Sequence, residues 1–140
     1  MEIEFLIIAD AVEATNGKLY VLGGGWNQWK SPSFPTQVRM GIAVGILVPW
    51  NETNEKHHVT IDIVDADGKA VLPPINAEVE VGRPPGLRAG TTQRAILAIN
   101  SGFPLQSAGS YEVKANVDGG SQKAVTFDAI LIGAPSIQIR

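Results

Sequence analysis

Cysteine is absent from the 140 residues. That removes disulfides, thiolate nucleophiles, zinc–thiolate centres and iron–sulfur clusters together. Histidine is nearly absent, with only His57 and His58, side by side. Charge is sparse and mixed: 11 Lys and Arg against 14 Asp and Glu leave a net charge of −3. No basic cluster is dense enough to follow a phosphate backbone, so nucleic acid is not expected as a partner. Long apolar runs are missing too. Phe5 to Ala9 falls far short of a membrane span, and no basic leader with a cleavage-site pattern is present. A membrane partner is therefore not expected, and a cytoplasmic location is. No stretch longer than ten residues has a helical period, and linkers, repeats and low-complexity tracts are lacking.

What the chain does contain reads as strands. With 44% hydrophobic and 18% charged residues it has material for a core, and 15 Gly and nine Pro suit short strands joined by tight turns. Val59, Ile61 and Ile63 alternate with Thr60 and Asp62. Tyr111, Val113, Ala115 and Val117 alternate with Glu112, Lys114 and Asn116, and Val125, Phe127, Ala129 and Leu131 continue the pattern. Such alternation describes a half-buried antiparallel sheet. Asn16-Gly17, Asp67-Gly68 and Asp118-Gly119-Gly120 supply residues that tolerate positive φ in hairpin turns.

The expected strands are 3–10, 17–23, 38–48, 57–65, 69–72, 76–82, 92–100, 110–117 and 123–132. Within 38–48, Met40, Ile42, Val44, Ile46 and Val48 share one face and Gly41, Ala43 and Gly45 the other. That large/small alternation predicts a central strand whose glycine face is closely approached by something bulky. The fold expected is all-β, a two-sheet antiparallel sandwich of immunoglobulin-like type. Residues 1–132 form one domain and 133–140 a C-terminal extension. Tyr111 stands where the tyrosine corner of such sandwiches places a hydroxyl bonded back to the main chain, or else is a core Tyr without that bond.

The stretch Ala9-Asp10-Ala11, then Asn16-Gly17-Lys18-Leu19-Tyr20, then Gly23-Gly24-Gly25-Trp26 resembles the opening of a family of small uncharacterised bacterial proteins. Members begin AD-x-A, NGKLY-x-x-GGGW and carry a later G-x-Y and DG hairpin like residues 109–119. The match covers about an eighth of the chain. The resemblance implies a β-sandwich and no established activity.

Few motifs carry chemistry. The loop Gly23-Gly24-Gly25-Trp26-Asn27-Gln28-Trp29 fits no phosphate-binding pattern, and Pro32 and Pro35 stand where a helix would have to start. Trp26 and Trp29, with Asn27 between them, offer an aromatic platform for a sugar or an anchor for a protein. Trp26 is the better candidate for a plug at one end of the sandwich, and Trp29 for binding. Gly82 to Arg88 is a proline-stiffened loop presenting Arg83 and Arg88, which could meet a carboxylate or phosphate of a partner or simply be solvated. His57 and His58 point to opposite faces of a strand, cannot readily chelate one ion, and read as a surface pair. Asp65-Ala66-Asp67-Gly68 starts like a calcium loop but lacks the distal Glu, so a turn is expected.

Neither a nucleophile elbow nor a zinc-protease motif is present, and no carboxylate pair stands out. No cofactor and no metal are expected. The expected function is non-enzymatic: a β-sandwich working through protein–protein contacts, as a homo-oligomer or an assembly subunit. The alternative is a small-ligand or carbohydrate-binding module using the Trp26–Trp29 loop. Past the break at Gly133-Ala134-Pro135, strict alternation resumes, and Ile137 and Ile139 share one face as candidate oligomer contacts.

Overall fold

A computed structural model describes residues 1–133. The chain is all-β and forms two sheets, as expected. Among the described residues nine strands follow one another: β1 (Glu2–Thr15), β2 (Lys18–Gly24), β3 (Gln28–Ser31), β4 (Thr36–Val48), β5 (His57–Asp65), β6 (Ile75–Val79), β7 (Gln93–Leu105), β8 (Gly109–Val117) and β9 (Gln122–Leu131). A single 3-10 turn, Trp50–Glu52, interrupts them among the described residues. One sheet has the order β2-β1-β4-β7 and the other β3-β9-β8-β5-β6.

The two sheets enclose one core. Met40, Ile42, Val44, Ile46 and Val48 of β4 are fully buried and meet Val59, Ile61 and Ile63 of β5 and Val113, Ala115 and Val117 of β8 in one cluster. Each such side chain contributes roughly 1.5–3 kcal/mol before the entropy of ordering it. The polar residues between them face outward, so the period of two in the sequence is the cause of the layering.

The other face of β4 behaves as its glycines require. A Cβ on Gly45 would run into the ring of Phe5, and a Cβ on Gly41 would lie 2.9 Å from the backbone of Ala11 and Val12. A second small cluster sits on this side, with Ala9, Val12 and Ala43 buried and Phe5, Ile7, Leu19 and Ala98 packed around them.

Turn chemistry holds at two hairpins. Asn16 and Gly17 take φ of 54° and 71°, and Asp118 and Gly119 take 51° and 69°, the positive values that a type I′ turn demands. Asp67-Gly68 differs. The Asp65 carboxylate accepts from the N–H groups of Asp67 and Lys69, at 2.9 Å each, and closes the turn locally. The expected strand at 69–72 is only an isolated bridge, Val64 to Ala70. The pairing is also not purely antiparallel: β3, absent from the expected strands, runs parallel to β9 from Gln28↔Asp128 to Ser31↔Leu131. At four residues it is too short for alternation to announce it. The hydroxyl of Tyr111 does bond back to the main chain, donating to the Ser107 carbonyl at 2.5 Å.

Candidate functional site

The main cleft of the molecule arises because β1 and β4 part company. β1 pairs with β4 from Glu2↔Leu47 to Ala9↔Gly41 and then leaves the ladder. It crosses the outer face of β4 where Gly41 has no side chain, and reaches β7. There the Asn100 side chain takes the place of a backbone partner: Val12 N–H donates to its Oδ1 at 2.9 Å, and its Nδ2 donates to the Val12 carbonyl at 2.8 Å. β4 continues N-terminally without β1. Among the described residues no strand pairs with Thr36–Met40 on that side, whereas β7 pairs with the same residues on the other.

A cleft of about 700 Å³ occupies this gap. It is lined by Asp10, Leu22 and Trp29, by Gln37, Arg39 and Met40 of β4, and by residues 100–102 of β7. Asp10 and Arg39 are exposed, and neither takes part in an ion pair among the described residues. Leu22 is 71% exposed and continues into Tyr20 and Val21, so β2 adds an apolar rim. Gly23, at φ 60°, lets the Asp10 carboxylate pack where a side chain would stand. This accounts for one glycine of the Gly-Gly-Gly-Trp loop without a phosphate.

Of the residues singled out from the sequence, Trp26 and Trp29 are brought together but do not form one platform. Their ring centroids lie 5.9 Å apart with planes tilted by 48°. Trp26 packs edge-on against Phe127, which stacks on Tyr111, at the margin of the shared core. Both Trp rings are half-buried against the core, with each indole N–H enclosed. Trp29 lines the main cleft, while Trp26 and Asn27 border a separate recess of about 430 Å³ beside β1 and β9. The Asn27 carbonyl accepts from the Asp128 N–H, which anchors the loop.

Arg83 is exposed, but its side chain is engaged within the fold. Its guanidinium lies 4.0 Å from the centre of the Trp50 ring, and it donates to Thr53 Oγ1 and to the Trp50 carbonyl, each at 2.7 Å. It clasps the turn after β4 to the loop before β7. Arg88 is exposed on that loop and does not line the cleft. Ile137 and Ile139 lie outside the described residues.

His57 corrects the expectation of a surface pair. It is buried, with Nδ1 2.6 Å from Asp118 Oδ2 and Nε2 2.8 Å from the Glu52 carbonyl. Both partners are acceptors, so the arrangement favours the doubly protonated imidazolium. Burial alone lowers its pKa, but the Glu52 carbonyl and the Asp118 carboxylate outweigh it and raise the value above 6.5. Asp118 is held below its ordinary value first by the His58 N–H and then by His57. His58 does point away, to Asn76. Every hydrogen-bonding capacity of His57 is spent within the fold, so it serves as a tie between three segments.

The cleft residues Asp10, Gln37, Arg39 and Asn100 escaped the sequence reading. The one signal was Asp10, a charge directly after the apolar run Phe5–Ala9.

The cleft thus combines an open half-edge of a strand, the Trp29 ring and one exposed charge of each sign on a two-sheet scaffold. A family model described as a family of unknown function, DUF6941, matches residues 4–130, and the chain belongs to that family. No curated protein matches it.

Proposed function

We propose that this chain is a non-enzymatic domain that acts through protein–protein contacts and self-associates. The observation that supports this reading most is the unpaired edge of β4 at Thr36–Met40, set in the main cleft. An open strand edge presents unsatisfied N–H and C=O groups that another chain can complete. The outer edge of β7 adds to the case. Among the described residues nothing pairs with it, and Ala95–Ile99 carries no charge to discourage pairing. Light scattering on the purified protein over a range of concentrations tests the reading. A dimer or larger species is expected, and a monomer at every concentration overturns it.

A second reading is favoured by Trp29. The cleft volume falls within the roughly 300–1,000 Å³ of small-molecule sites, and an aromatic wall beside Asp10, Gln37 and Arg39 suits a sugar. Saccharides titrated against tryptophan fluorescence would reveal it, and a flat response across neutral, acidic and amino sugars would remove it.

The finer fold assignment belongs to the same proposal. A core shared by both sheets and the Tyr111–Ser107 bond support an immunoglobulin-like sandwich, although the parallel β3–β9 pair departs from that pattern. A cytoplasmic, bacterial setting is proposed as well, and it fits a chain without cysteine. Among the described residues no helix is long and apolar enough to cross a membrane.

A further inference from the structure

We propose that the open edge of β4, Thr36–Met40, receives the segment Ser136–Arg140 of a second copy of this chain as an added strand. The inference rests on the self-association proposed above and names its interface.

Four observations converge on it. Thr36–Met40 lacks a backbone partner on the cleft side, so an incoming extended segment finds a row of groups to bond. Ser136–Arg140 has the same length, and its sequence alternates two isoleucines with Gln138 and Arg140. The cleft walls match that alternation. Leu22 and Trp29 offer apolar surface to Ile137 and Ile139, and the exposed Asp10 carboxylate offers a partner to Arg140. The remaining polar wall, Gln37 and Arg39, suits the Gln138 amide.

The fourth observation is where the described chain ends. Ile132 N–H donates to the Ser31 carbonyl at 2.9 Å, and the Ser31 hydroxyl bonds Thr36 Oγ1 at 3.2 Å. Residue 133 therefore lies near the N-terminal end of the open edge. Seven further residues, 134–140, reach at most about 25 Å when extended. Pro135 biases Ala134 toward extended backbone, which opposes a reversal within Gly133–Pro135 into the same molecule's cleft. A neighbour related by a two-fold axis receives the segment and returns its own, an exchange that closes as a symmetric dimer.

The test uses the full chain and four variant proteins, each checked for a strand-rich circular dichroism spectrum, with dimer Kd from sedimentation equilibrium. Ile137→Asp combined with Ile139→Asp is expected to leave a folded monomer. Asp10→Lys and Arg140→Glu are each expected to raise the Kd about tenfold. An equimolar mixture of those two single variants is expected to regain the original Kd, because in the mixed dimer each cleft faces a tail of opposite charge. The fourth variant, Lys56→Glu, at an exposed residue that does not line the cleft, should leave the Kd unchanged. A monomeric full-length protein overturns both this inference and the self-association reading. An oligomer whose mass ignores the Ile137 and Ile139 substitutions overturns the inference alone. Failure of the mixture to regain affinity overturns the exchange between copies.

Discussion

His57 shows what a single side chain does in this fold and why its neighbour in sequence gave no warning of it. Two adjacent histidines on a strand must face opposite ways, and that geometric statement holds. Which of them faces inward depends on Asp118, sixty-one positions away, whose positive φ at the β8–β9 turn aims its carboxylate at both His57 Nδ1 and the His58 N–H. The raised His57 pKa means that the contribution of its charged form is complete below its ordinary value of 6.5. It is lost as pH rises through the raised value. The lowered Asp118 pKa works in the opposite sense: its contribution is complete above 3.8 and lost as pH falls through the lowered value. The tie is therefore at full strength between those two ordinary values. Thermal melts of the wild type should lose stability from pH 6 to pH 8.5. His57→Ala should cost about 1–3 kcal/mol at pH 5.5 and flatten that pH dependence. A variant melting curve that retains the wild-type slope would assign the dependence to other groups.

Among the strands, β4 was the most legible and β3 the least. The large/small alternation of residues 38–48 foretold both a buried face and a crowded one, because a glycine row on a central strand has meaning only if something lies across it. The Phe5 ring fills the space beside Gly45, and the β1 backbone crosses at Gly41. Gly45→Ala should therefore destabilise the protein by about 1–3 kcal/mol through overpacking. Combining it with Phe5→Leu should recover part of that loss, since the planar ring that blocks the new methyl is gone. Denaturant unfolding of the four species gives the coupling energy, and strict additivity would mean that the two residues do not meet. β3 has only four residues and a parallel partner distant in sequence, so nothing local could mark it. The predicted strand at 69–72 failed for a local reason: the Asp65 carboxylate satisfies two N–H groups that a longer ladder would have used.

For the molecule as a whole, alternation and turn chemistry sufficed to give two sheets around one core, because both follow from rules that act over a few residues. The site did not follow from them. It depends on the residue at which β1 leaves β4, and that point is set by contacts between Gly41, Val12 and Asn100, which lie on three separate strands. Sequence reading therefore found Trp29 but not Asp10, Gln37 or Arg39 on the walls around it. Nor could the sequence show that Trp50 and Thr53 engage Arg83, thirty or more positions away. The account turns on the half-edge of β4 being the surface through which one copy meets another. Amide hydrogen exchange across Thr36–Met40, followed at high and low protein concentration, measures this directly. The amides in that stretch that point away from β7 should exchange slowly in concentrated protein, where the edge is covered, and speed up on dilution, while those bonded to β7 and those of Ile42–Ile46 stay protected throughout. Exchange in Thr36–Met40 that is equally fast at every concentration would contradict the account.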